Sequence, residues 1–209
     1  MDVLNITPAK LDDVNNELII LDQTLLPNEA KYIRLKDKES IWDAIYKLKV
    51  RGAPAIGIAA AFGIYLCVKG SNATDFDTFY KEFSEIKKYI GSSRPTAVNL
   101  FWALDRMEAC LLDNKEKPIA EIKKVLHDEA QKIKEEDENV CKQIGEYSLS
   151  LFKPNMGILT HCNAGTIATA KYGTALSAIY LGQERGYNFK VFADETRPLL
   201  QGARLTAWE

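Results

Sequence analysis

The chain has 209 residues, 46% apolar and 27% charged, with 27 Lys and Arg against 29 Asp and Glu for a formal net charge of −2. These proportions exclude collagen-like, coiled-coil and disordered classes, and the length admits one large domain or two small ones. So balanced a charge leaves no excess of Lys and Arg for an extended nucleic-acid footprint, and the expected partner is a small molecule.

Four cysteines (Cys67, Cys110, Cys141, Cys162) and two histidines (His127, His161) show no CxxC pair or metal-ligand spacing, so no zinc site and no disulfide scaffold are expected. Met1-Asp2-Val3-Leu4-Asn5 lacks the basic and apolar regions of a secretory leader. The longest uncharged stretch, Gly52 to Val68, has 17 residues, and a bilayer span needs roughly 20. Its many Gly and Ala suit a buried core helix. The expectation is a soluble, cytoplasmic protein with no membrane partner.

In chain order, residues 17–36 alternate short apolar runs (Leu18 to Leu21, Tyr32 to Leu35) around Leu26-Pro27-Asn28, which predicts two or three short strands with a Pro-Asn turn. Ile41, Ala44, Ile45 and Leu48 then follow helical spacing, with Ser40 as the expected N-cap. Pro54 stands where a first-turn proline is favoured, ahead of the apolar run to Val68. Phe76, Phe79, Tyr80, Phe83, Ile86 and Ile90 form the stripe of a third helix, broken by Gly91-Ser92-Ser93-Arg94-Pro95. Val98 to Leu112 is apolar nearly all round and is expected to be central. Ile119 to Tyr147 reads as a long amphipathic helix with a solvated charged face from Lys132 to Glu138.

After Pro154 the pattern becomes strand (Gly157 to Cys162), helix (Thr166 to Gly186) and strand (Phe189 to Asp194), a βαβ unit with parallel strands. Pro198 to Glu209 reads as the opening of a further helix. The predicted class is α/β: residues 1–150 a mostly helical N-terminal domain with a small antiparallel sheet, and residues 151–209 the first part of a Rossmann-like domain. Two parallel strands are too few for a sheet covered on both faces, so the chain is expected to be the N-terminal part of a longer protein.

Four segments could carry chemistry. In Arg51-Gly52-Ala53-Pro54-Ala55-Ile56-Gly57, Gly52 and Ala53 permit close backbone approach, and free N–H groups of the helix that Pro54 starts would make, with Arg51, an anion seat. The competing reading is a tight turn into a core helix. A nucleotide-binding P-loop is excluded, because Ile58-Ala59 stand where Lys and Ser/Thr are required. Arg94, before Pro95-Thr96, could reach a phosphate or a sugar hydroxyl, or be an ordinary surface arginine. Cys162, in His161-Cys162-Asn163-Ala164-Gly165, falls beyond the carboxyl end of a parallel strand, where α/β sheets bind ligands. Asn163 beside it can offer a hydrogen bond, whereas the other three cysteines lie in helical segments as inert core. In Asp194-Glu195-Thr196-Arg197-Pro198, Asp194 and Glu195 could be acid–base groups, or Asp194 a cap with Arg197 as its partner. Gln201 could contact a ligand or lie on the surface.

Taken in register, Val50 to Gly57, Arg94 to Leu100, Thr160 to Gly165, and Asp194 to Pro198 with Gln201-Gly202-Ala203-Arg204 resemble the methylthioribose-1-phosphate isomerase family, aldose–ketose isomerases of methionine salvage, from about Leu21 to Glu209. The resemblance implies a homodimeric cytoplasmic enzyme with a Rossmann-like C-terminal domain, acting on a phosphosugar without metal, nucleotide or other cofactor. It implies that Arg51, Gly52, Ala53, Arg94 and Gln201 contact the substrate and that Cys162 is the catalytic cysteine. The family's catalytic aspartate belongs to a Gly-Ala-Asp-Arg-like segment further along than this chain extends, so Asp194 is not assigned that role. Two rivals share the fold. One comprises sister isomerases of 5-deoxyribose 1-phosphate or ribose 1,5-bisphosphate. The other comprises the non-catalytic regulatory subunits of the translation-initiation guanine-nucleotide exchange factor.

Overall fold

The computed structural model describes residues 3–209, and its chain order is β1 (Ala9–Asp12), β2 (Glu17–Leu21), β3 (Tyr32–Leu35), α1 (Lys38–Tyr46), α2 (Ala53–Lys69), α3 (Phe76–Gly91), α4 (Val98–Asp113), α5 (Ile119–Leu149), β4 (Gly157–Thr160), α6 (Ser177–Glu184) and β5 (Lys190–Ala193). The first three strands make an antiparallel sheet in that order, with Leu11 opposite Leu18 and Leu18 opposite Leu35. β4 and β5 pair in parallel, Gly157 with Lys190 through Thr160 with Ala193. The fold is therefore mostly helical with a small antiparallel sheet and the first pair of a parallel one, as expected for the α/β class.

The centre of the molecule is α2. Its residues from Ala55 to Val68 are buried almost without interruption, and it packs on α1, α3, α4, α5 and the antiparallel sheet. Small residues allow that crowding: a Cβ on Gly57 would stand 3.0 Å from the Asn99 carbonyl oxygen and 3.6 Å from Ala103, so α4 crosses close to the start of α2. α3 runs from an Asp75 cap, whose carboxylate accepts from the Thr78 N–H at 2.9 Å, and buries Phe79, Phe83 and Ile90. α5 buries Ile122, Leu126, Ala130, Ile133 and Cys141 along one stripe and meets α6 at Gly145.

The structure corrects five sequence expectations. β1 extends the sheet before Glu17, where no strand was predicted. Helix α1 starts earlier than expected: Asp37 is its N-cap, and Ser40 is the third helical residue of a reciprocal capping box. α4 is one-sided rather than central, with Leu100, Ala103, Leu104, Met107 and Leu111 buried while Val98 and Trp102 are exposed. The single helix expected over Thr166 to Gly186 is a 3-10 turn (Thr166–Ala168), an irregular loop and α6. The loop folds back instead of continuing: the Thr174 N–H donates to the Ala164 carbonyl, Gly173 has φ +71°, and a Cβ there would lie 2.5 Å from that same oxygen. Finally, Pro198 to Glu209 forms turns and a short π-helical turn (Gly202–Thr206).

Candidate active site

The site forms where the loop after β4 meets the turn before α2. Gly52, the N-cap of α2, has φ +94°, and a Cβ on it would lie 2.5 Å from both the Cα and the oxygen of Ala168. Only glycine fits this contact, which presses the Arg51-Gly52-Ala53 turn onto the 3-10 turn behind Cys162. No side chain caps α2, so the N–H groups of its first turn, around exposed Ala53, face outward with the positive end of the helix dipole.

Arg51 bridges the two segments. Its guanidinium donates to the Asn163 side-chain oxygen at 2.8 Å and to the Asn163 carbonyl at 2.9 Å. Burial pushes its pKa down, opposed by nearby Cys162 and Glu209, but a guanidinium stays protonated. The next residue back, Cys162, sits half-buried at the end of β4 with φ +60°, a conformation that non-glycine residues seldom adopt. Two threonines hold it there: the Cys162 N–H donates to Thr196 Oγ1 at 3.0 Å, and the Thr206 hydroxyl donates to the Cys162 carbonyl at 2.6 Å. The other three cysteines lie within helices, Cys141 buried and Cys67 and Cys110 half-buried. Burial pushes Cys67 and Cys141 up to about 12 and Cys110 up to about 11.

Sequence reasoning thus finds Arg51, Gly52 and Cys162 together, although the bridge from Arg51 to Asn163 spans 112 residues of chain. Arg94 is half-buried in the turn before α4, whose Asn99 abuts α2 at Gly57, and its side chain makes no hydrogen bond or ion pair among the described residues. Gln201 is turned onto its own segment, accepting from the Leu199 N–H at 3.3 Å. Asp194 pairs with His161, Nδ1 to Oδ2 at 3.0 Å, both exposed, while Arg197 pairs with Glu195 and not with Asp194 as considered above.

Thr196 lies inside a motif singled out by sequence. Thr206 and Glu209 do not: they reach the site only because the π-helical turn folds them back across more than 40 residues, which no spacing announces. That turn is anchored by Arg204, whose guanidinium donates to the carbonyls of Leu26, Thr24 and Leu199. Beside α2, a cleft of about 370 Å³ opens at Pro54 and is lined by Ile58, Val98, Trp102, Val140 and the carboxylates of Glu136 and Asp137.

Residues 49–209 match the Initiation factor 2 subunit family. The chain belongs to that family. Among relatives of this Initiation factor 2 subunit family protein, a methylthioribose-1-phosphate isomerase of Symbiobacterium thermophilum is 68% identical over 98% of the chain and 57% of that enzyme. A 5-deoxyribose 1-phosphate isomerase of Petrotoga mobilis is 58% identical over 99% of the chain and 59% of that enzyme. The fold is that of the crystallised 5-methylthioribose 1-phosphate isomerase of Pyrococcus horikoshii, with TM-score 0.93 and 38% identity over 99% of the chain and 58% of that structure. Subunit delta of the translation initiation factor eIF-2B from A. fulgidus also superposes, with TM-score 0.86 and 38% identity over 98% of the chain and 58% of that structure. This family member thus spans somewhat under three-fifths of the length of the relatives it matches. Among its described residues no helix is long and apolar enough to cross a membrane, and no group of His, Cys, Asp and Glu is arranged to hold a metal ion.

Proposed function

We propose that this chain carries the greater part of the active site of a cytoplasmic, homodimeric aldose–ketose isomerase that converts 5-methylthioribose 1-phosphate to 5-methylthioribulose 1-phosphate in methionine salvage. The observation that carries this reading is the bridge from Arg51 to Asn163, which joins an anion-binding helix start to the loop of a strained strand-end cysteine. The residues up to about 150 serve as a helical domain and those after it as the opening of a Rossmann-like catalytic domain.

In this reading the phosphate sits at the first turn of α2, bound by N–H groups of the Gly52-Ala53 turn and by Arg51, with unpaired Arg94, and Gln201 once released from the Leu199 N–H, closing on the sugar. The phosphate blocks the anomeric oxygen, so the ring opens only when an acid protonates the ring oxygen. Hydrogen then moves from the second carbon to the first. Cys162 acts there as the base of a proton shuttle, or supports a hydride shift, with an aspartate outside this chain as the acid. The cleft at Pro54 is where the substituent on carbon five fits. Its apolar wall suits a methylthio or methyl group.

The test is steady-state turnover by the intact protein on the three sugar phosphates, with Cys162→Ser beside the wild type. The variant is expected to lose about 10²-fold to 10⁴-fold in kcat, the span of a general base, with KM nearly unchanged. Near-normal turnover by the variant would overturn the assignment of Cys162. A second reading, a non-catalytic subunit that binds translation factors, draws on the likeness to eIF-2B subunit delta. It predicts capture of an initiation factor and no turnover of any of the three sugars.

A further inference from the structure

Arg51 is held at the site by one residue, Asn163, through its side-chain amide and its backbone carbonyl. The Asn163 side chain has an acceptor end and a donor end, and Arg51 carries donors only. Its oxygen must therefore face Arg51, at 2.8 Å, and its NH₂ must point the other way. There it donates to Thr206 Oγ1 at 3.2 Å and to Glu209 Oε2 at 2.5 Å. Thr206 supports this polarity, because its hydroxyl hydrogen goes to the Cys162 carbonyl and only its oxygen faces Asn163. Glu209 adds a charged acceptor at shorter range. Its other oxygen, Oε1, accepts from the Ile167 N–H at 2.9 Å. Burial pushes the Glu209 pKa up, opposed by these two bonds and by Arg51, and only the ionised form offers an acceptor to both N–H donors. The carboxylate is packed so closely on Gly165 that a Cβ there would lie 2.2 Å from Oε2.

We propose that Glu209 is a positioning residue for the isomerase site: it fixes the polarity of the Asn163 amide and so keeps the Arg51 guanidinium directed at the loop of Cys162, ready for a phosphate. The inference rests on the isomerase reading for its kinetic consequence, though not for its geometry. Glutamine in place of Glu209 has the same shape and one acceptor end. Either the Ile167 N–H then meets an NH₂, or the Asn163 amide turns over and sets a donor against Arg51. Asn163→Asp alone sets a carboxylate oxygen against Glu209. The two changes together restore the pattern between positions 163 and 209, with the Thr206 hydroxyl turned from the Cys162 carbonyl to the new carboxylate. The carboxylate introduced at position 163 accepts from both Arg51 and the amide introduced at position 209, and the oxygen of that amide accepts from the Ile167 N–H.

The experiment is this cycle in the intact protein: wild type, Glu209→Gln, Asn163→Asp and the double variant, each assayed on 5-methylthioribose 1-phosphate and by thermal unfolding. Loss of one charge-assisted hydrogen bond corresponds to about tenfold in an equilibrium constant. Glu209→Gln is therefore expected to raise KM about tenfold, with kcat within about threefold, because Arg51 binds ground and transition states alike. The double variant is expected to recover most of the KM and most of the lost thermal midpoint. Active wild type with no recovery in the double variant, or with unchanged KM in Glu209→Gln, overturns the role of Glu209. Wild type inactive on this sugar, on 5-deoxyribose 1-phosphate and on ribose 1,5-bisphosphate, whose unfolding midpoints still show the coupling, overturns the isomerase reading and leaves the geometric assignment standing.

Discussion

Cys162 and Gly52 both occupy left-handed backbone, for different reasons. At Cys162 the conformation carries a cost that the hydroxyls of Thr196 and Thr206 offset, which fixes the backbone just beyond the strand end. At Gly52 there is no such cost, because glycine alone tolerates both φ +94° and the 2.5 Å approach to Ala168. Replacing Gly52 by Ala places a methyl group inside backbone that cannot move without displacing the 3-10 turn behind Cys162. The expected loss is at least about 2 kcal/mol of unfolding free energy in urea, where an ordinary Gly→Ala change at a compatible site stabilises by less than about 1 kcal/mol. A Gly52→Ala protein as stable as wild type would show that the close approach is not a constraint. The glycine that sequence reasoning offered as room for a ligand is thus also a packing glycine.

At the level of elements, periodicity was a dependable guide along α3 and the first half of α5. Past Ile133 the buried residues of α5 are Cys141, Gly145 and Leu149, while Val140 and Tyr147, read as part of its stripe, are exposed. Periodicity also misled where small or apolar residues served something else. Val98, Phe101 and Trp102 made α4 look central, yet they stand on its outer side, where Val98 and Trp102 help line the cleft at Pro54. The small residues after Thr166 serve a loop that folds onto Ala164. Of the candidate site, Arg51, Gly52 and Cys162 were legible as local motifs, and Thr206 and Glu209 were not, since tertiary folding alone brings them near. The start of α1 is a smaller case with a measurable outcome. Asp37 accepts from the Ser40 N–H at 2.7 Å, and this bond, with that of the Ser40 hydroxyl, holds its pKa below the usual aspartate range. Asp37→Ala is expected to cost about 1 kcal/mol near neutrality. A depressed folded pKa means that this contribution is present above the unfolded value near 4 and fades as pH falls through the folded one. Urea titrations of the pair should therefore converge in acid. A gap that persists unchanged below pH 3 would assign the effect to something other than the carboxylate.

For the molecule as a whole, the decisive contacts are those that tie the helices before residue 150 to the segments after it, because the site lies on that seam. Gln23 donates to the Ile167 carbonyl at 2.7 Å, Arg51 holds Asn163, and Arg204 gathers carbonyls of the loop before β3. From α5, Asp137 reaches the buried Ala170 N–H at 2.6 Å. Burial raises the Asp137 carboxyl above its ordinary pKa, more than the bond from Ala170 lowers it. The unfolded chain therefore gives up this proton first, and stability falls as pH rises from near 4 towards the folded pKa. Asparagine keeps an acceptor for Ala170 and carries no charge. Asp137→Asn is expected to match wild type near pH 4 and to exceed it at pH 8, the gap opening between the unfolded and the folded pKa. Asp137→Ala strands the N–H and should lose about 1–3 kcal/mol at both. Urea unfolding of the three proteins at those two pH values decides the matter. If Asn and Asp stay equal throughout, the carboxylate is solvated and the seam is looser than its geometry indicates. If Ala is as stable as Asn, the bond to Ala170 contributes nothing to holding α5 against the loop behind Cys162.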